Sequence, residues 1–417
     1  MTSRVHGFLK SMGPGLLFAG AAIGVSHLVQ STRAGANYGF ILIWVILLAN
    51  LLKYPFFEYG PRYAAATGES LLEGYFKLGR WVFFLFVGLT LLTMFVIQAA
   101  VTLVTAALAT QLFPFSLSLL SWSAILLLIS VIILMVGQYA WLDSLIKVII
   151  ILLSISTIVA FMMAFFHHPV ATNVHHKELW NIAGIVFLMA LIGWMPAPIE
   201  SSVWHSLWTI ERKKQTQHAP TLKESLFDFN VGYIGVAFLA LLFLGLGALI
   251  MFPTGQTFSP KAGAFAGQLI KLYTKSLGGW SVVFITIAAF STMFSTTLTV
   301  FDAYPRVMQQ ASELIFPQWK NQSRYFYWSW MILLWIGSLI IISMFLKSLK
   351  YMVDFATISS FVTAPLFAFI NYKVVTSEYM PEEARPSLRL RILSWVGFIA
   401  LLGFGLFYAT WRLWKFF

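Results

Sequence analysis

Two short runs in this sequence place chemistry where apolar filler is expected. Gly13 to Asn37 reads GPGLLFAGAAIGVSHLVQSTRAGAN, long and apolar enough to cross roughly 30 Å of hydrocarbon at about 1.5 Å per residue. Its middle, Gly24-Val25-Ser26-His27, sets a hydroxyl and an imidazole beside a glycine. A second apolar stretch, Trp180 to Trp208, is interrupted at Met195-Pro196-Ala197-Pro198. Its two prolines remove two amide donors and disfavour helix in the residues before them. Unpaired backbone at membrane depth is tolerated only where it is buried in protein or lines a cavity. Interrupted helices in corresponding positions of two halves of a chain point to a transporter's binding site. The expected chemistry is reversible binding of a small substrate, around Gly24, Ser26, His27, Met195, Ala197 and Glu200.

Each of these side chains has two readings. Ser26 either N-caps the second half of its helix or touches substrate. His27 can ligate a metal, carry a proton or bond an organic solute; otherwise it is bonded to a neighbouring helix. Met195 is a soft thioether ligand or a core filler. Glu200 lies just past the proline break, where an intramembrane carboxylate is functional by default. The competing account makes Ala197 the cap and Pro198 the first helical residue, so that Glu200 falls at N3 and satisfies free amides. If protons are coupled to transport, His27 and Glu200 carry them.

Other polar groups read as structural. Asp302 and Arg306 form an i,i+4 ion pair, Asp354 is interfacial, and His205 sits near the membrane surface. The run Ser291, Thr292, Ser295, Thr296, Thr297, Thr299 either lines a polar path or bonds back to its own helix. The third span, Trp81 to Thr110, has no carboxylate, only Gln98. No nucleophile–base pairing, phosphate loop or HExxH spacing occurs, so no enzyme and no cofactor is expected.

These residues must be positioned by membrane helices. The chain is 59% apolar and 10% charged, with a mean hydropathy of +0.82. That excludes a soluble domain. The absence of cysteine excludes disulfides and thiolate metal sites, and no cleavable signal is evident. Eleven spans are expected, at 13–36, 38–57, 81–110, 118–137, 142–167, 180–208, 227–253, 278–303, 326–346, 349–373 and 391–413, with the longest loops near 58–80, 208–226, 254–277 and 374–390. With a cytoplasmic N-terminus, about 18 of the 27 Lys and Arg, Lys53 among them, fall on the inner side, as the positive-inside rule requires. The net charge of +12 is thus a matter of topology and not of nucleic-acid binding. The plan is an all-α polytopic membrane protein forming a single transport domain. One broken helix opens a first repeat (13–167) and another, five spans later, opens a second (180–373), inverted because five is odd. The helix at 391–413 is an addition. The expected partners are the lipid bilayer and a small-molecule or ion substrate; no feature sets an oligomeric state.

Several motifs resemble the Nramp family of proton-coupled divalent-metal transporters. They are Gly13-Pro14-Gly15-Leu16-Leu17, Thr67-Gly68 with Leu71-Leu72-Glu73, Thr105-Ala106, Met195-Pro196, and Ser295 to Met308. The resemblance implies a LeuT-type fold, a substrate held between the first and sixth helices, alternating access, and residence in a bacterial plasma membrane. It also shows what is missing. The family's Asp-Pro-Gly-Asn stands here as Gly24-Val25-Ser26-His27, and its Met-Pro-His-Asn as Met195-Pro196-Ala197-Pro198. Of the implied metal ligands only Met195 survives, with His27 at the ligand Asn position. The third-helix acids fall at Gln98 and Val101, and the tenth-helix glutamine at about Thr357. Two cargoes remain open, a metal or other inorganic cation through an altered site, or a small organic solute, besides a non-transporting scaffold.

Overall fold

A computed structural model describes residues 12–167 and 178–414 of the chain. The first span is broken into α1 (Pro14–Ala22), a π-helical segment (Val25–Ser31) and α2 (Thr32–Tyr38). There follow α3 (Ile43–Thr67), α4 (Leu71–Leu78), α5 (Arg80–Leu112) and α6 (Leu119–His167). The sixth span is also broken, into α7 (Ile182–Trp194) and α8 (Ser201–Thr216). Then come α9 (Leu222–Leu246), α10 (Ala262–Leu277), α11 (Val282–Ile315), α12 (Ser323–Phe345), α13 (Leu349–Val375) and α14 (Leu388–Trp414). Among the described residues there is no strand. Eight helical runs among the described residues are long and apolar enough to cross a membrane, and the chain is a multi-pass membrane protein.

All the expected spans fall on helices, with some different ends. The fourth and fifth lie within the single helical element α6, and the side chains around the expected turn between them are outside the described residues. The loops expected near 58–80 and 254–277 hold the surface helices α4 and α10. In α4 a capping box, Ser70 with Glu73, satisfies both ends of the first turn. The second span runs on to Thr67 instead of stopping at 57, passing through Pro55 and Pro61. Side chains of other helices take the carbonyls nearby: Tyr233 donates to Asn50 O (2.6 Å) and Asn371 to Phe56 O (3.0 Å). Lys53 is therefore not an inner surface charge. It lies inside α3 and is fully buried.

Each broken helix is braced by the second helix of the other half of the chain. Against the first break lies α9. Asp228 accepts from the amides of Gly13 (3.1 Å) and Gly15 (2.6 Å), an acid placed at the positive end of α1. Further along, the Gly35 and Gly247 backbones meet closely, so that a Cβ on Gly35 would lie 1.9 Å from Leu244 O. Against the sixth break lies α3, where a Cβ on Gly60 would lie 2.2 Å from Ser202 O. The opening Gly-Pro-Gly motif is thus a helix contact as much as a helix start. Gly15→Ala puts a methyl 2.1 Å from Asp228 O, which is backbone and cannot rotate aside. We expect that variant to melt several degrees below the parent in a thermal-shift assay, whereas Gly88→Ala, with open space around it, melts with the parent.

Candidate site between the two helix breaks

At the first break α1 ends at Ala22, and the chain restarts after Ile23 and Gly24. The carbonyls left over are taken locally. Thr296, reaching across from α11, donates to Gly20 O (2.9 Å). Ser26 donates backwards to Ala22 O. It does not cap the second half-helix, whose N-cap is Gly24. His27 is fully buried and both its nitrogens are engaged. Nε2 lies 2.9 Å from Val236 O on α9; Nδ1 lies 2.6 Å from Ser26 Oγ and 3.0 Å from Ala22 O. Both nitrogens therefore face carbonyl oxygens, and the single hydroxyl proton of Ser26 is already given to Ala22 O. The structure places His27 as a tie between the break and α9.

At the sixth break Met195 is fully buried in an apolar cluster with Leu42, Leu188 and Leu244. Lys53 supplies the polar contacts. Its Nζ donates to the carbonyls of Ile192 (2.8 Å), Gly193 (3.0 Å), Met195 (3.0 Å) and Ala197 (3.2 Å). Nothing in the sequence marked this residue except a cation in a stretch otherwise apolar on one side.

Glu200 is the N-cap residue of α8, not its N3 residue, and makes no capping bond. The helix begins three residues later than Pro198 suggests. The carboxylate turns instead to Tyr304 (2.5 Å) and Thr93 (3.4 Å), both donating to it, and only 1% of the residue is exposed. Tyr304 and Thr93 were not legible as its partners. His205 is also buried, not near the surface, lying against the rings of Phe18 and Phe229.

A cavity of about 20 Å³ lies between the two breaks. Val25 and Ser26 line it from the first break, Pro196, Ala197 and Pro198 from the sixth, and Val101 from α5. Gly24, His27, Met195 and Glu200 are not on its wall. Gln98 donates to Thr102 and to Thr297 O, and Thr357 bonds back to Val353 O. In the hydroxyl run of α11, Thr292, Ser295 and Thr299 bond back within the helix, while Thr296 and Thr297 reach α1 and α5. Among the described residues no group of three or more His, Asp or Glu could hold a metal ion.

Outside this core, Asp302 pairs with Arg306 at 2.5 Å and also accepts from Tyr327. Asp354 is not a free interfacial acid but the partner of buried Arg33, at 2.8 Å.

Residues 15–409 match the model of the Nramp family, described as natural resistance-associated macrophage protein-like. The chain belongs to the Nramp family. It is 38% identical over 411 residues to an uncharacterised protein of Pasteurella multocida, covering 97% of this chain and 92% of that one. Its fold is shared with a manganese transporter of Eremococcus coleocola (TM-score 0.70, 15% identity, 96% of this chain and 86% of that one). It is shared too with Mhp1, a nucleobase-cation-symport-1 family transporter with bromovinylhydantoin bound (TM-score 0.61, 13% identity, 96% and 92%). The fold is therefore LeuT-type, two inverted five-helix repeats and an eleventh transmembrane helix.

Within that fold, Gly24, where the motif resemblance implies a ligand Asp in the family, is closed to side chains. A Cβ on Gly24 would lie 2.6 Å from Thr296 Oγ1 and 2.7 Å from its Cγ2. Gly24→Ala should therefore destabilise the parent protein by at least about 1 kcal/mol more than it destabilises a Thr296→Ala background. Equal losses in both backgrounds, read by denaturant or thermal unfolding, would show that Thr296 is not what excludes the side chain.

Proposed function

We propose that the protein is a secondary transporter of the Nramp type, moving a metal or other inorganic cation by alternating access through an altered site between the two helix breaks. The observation that carries the reading is the size and place of the cavity: at about 20 Å³ it has room for a single ion or water, where both broken helices meet. The fold is that of a manganese transporter. Ser26 and Thr296 put side-chain oxygens on its wall, and Ala197 leaves the backbone room to approach. His27 and Met195 become ligands only in a conformation in which they leave Val236 and the apolar cluster. Glu200 and His27 are the groups available for proton coupling, since Gln98 and Val101 cannot titrate. The 13–167 and 180–373 repeats form one transport domain, in a bacterial inner membrane with the N-terminus cytoplasmic.

One observation favours a second reading, a small organic solute. The cavity wall is mostly apolar, with Ile97, Val101 and Val300 beside two tryptophans and no carboxylate. A dication gains most from a carboxylate in a poorly solvated pocket, and here the Lys53 side chain bonds to Ala197 O on the cavity's wall.

Calorimetric titration of the purified protein with Mn²⁺, alongside thermal-shift screening of small organic solutes, separates the two. The cation reading expects Mn²⁺ binding that weakens at least tenfold in Ser26→Ala. It also expects uptake into vesicles that loses its dependence on a proton gradient in Glu200→Gln. Stabilisation by an organic solute with no Mn²⁺ binding establishes the second reading. Neither response, in protein that is folded, indicates a scaffold that does not transport.

A further inference from the structure

The four carbonyls around Lys53 form a cation site that the chain fills with its own side chain. The last carbonyls of a helix have no partner within it, and together they carry about half a negative charge. Ile192 and Gly193 supply two carbonyls at the end of α7, the first of which also accepts from the Met195 amide; Met195 and Ala197 supply two more from the break itself. All four converge on one point at 2.8–3.2 Å. An ammonium has three N–H donors and a compact charge, so three donors are shared among four acceptors and none is wasted. No carboxylate among the described residues forms an ion pair with Lys53. The charge is balanced by backbone oxygen alone, the ligand type that suits a weakly hydrated monovalent cation.

We propose that Lys53 is a tethered cation: it occupies a monovalent-cation site at the sixth-helix break and frees that break from any need for a bound ion. Removing the side chain past Cβ opens the site to soluble cations carrying N–H donors or to alkali ions. This holds whichever cargo the cavity takes, because Lys53 touches the far side of the break. Ala197 alone belongs to both sets of neighbours.

The test is chemical rescue. Lys53→Ala lacks the three carbons and the nitrogen that n-propylammonium supplies. The full chain is purified in tetramethylammonium chloride, whose cation has no N–H donor, and melted in parallel with propylammonium, ammonium or potassium at constant ionic strength. The parent should melt at one temperature in all four salts. Lys53→Ala should melt lower by more than about 3 °C in tetramethylammonium and recover at least half the loss, in a saturable manner, with propylammonium or a smaller cation. Lys53→Met, whose stem fills the space without a charge, should stay low in every salt. A Lys53→Ala protein that melts with the parent, or that melts low and responds to no cation, overturns the proposal. If Lys53→Ala yields no folded protein, Lys53→Met decides: melting with the parent overturns the proposal, and melting low in every salt supports it.

Discussion

A backbone broken inside a bilayer leaves carbonyls and amides that no water can satisfy. The rest of this architecture answers to that constraint. At the first break Ser26 and Thr296 donate to the stray carbonyls, and His27 ties the segment to α9. At the sixth, one lysine donates to four carbonyls at once. Most of the side chains that look like binding groups are spent on holding the breaks open. What remains between them is small and largely apolar.

The bracing obeys the inverted repeat. The helix behind the first break is α9, the second helix of the second repeat; behind the sixth break stands α3, the second helix of the first. Both braces combine a glycine that lets backbone touch backbone with a polar side chain that crosses between helices. They differ in chemistry. An imidazole with both nitrogens bonded to neutral oxygens serves the first break, while a lysine with four carbonyl partners serves the sixth. The pseudo-symmetric scaffold therefore frames a chemically unsymmetrical site.

Much of this was legible in the amino-acid sequence. A Gly-Val-Ser-His run and a Pro-Ala-Pro run inside apolar stretches marked both breaks, and five-span spacing marked the inversion. The Nramp motifs and the family match agree on the fold. Glu200 was misplaced on its helix because Pro198 resembled a first-turn proline, while the chain turns once more before α8 begins at Ser201. The sequence pattern reads Lys53 as an inner-surface charge because it ends the second span ten residues early, at an expected loop that is instead nearly three more turns of α3 and the helix α4. Asp228, Tyr304 and Arg33 act through partners more than a hundred positions away in the chain. No local pattern encodes such a pairing.

The separation of Asp228 from Gly13, 215 positions, has a meaning in time. Ribosomes add about 5–20 residues each second, so the first helix waits roughly 10–40 s in the membrane before the acid that caps it exists. Val236, the oxygen partner of His27, follows 209 positions after it. Through that interval the only neighbours available to the first break are those within reach on its own strand of chain. The Ser26 and His27 contacts with Ala22 need only residues four and five positions back, so their partners are in the membrane long before the second repeat is made.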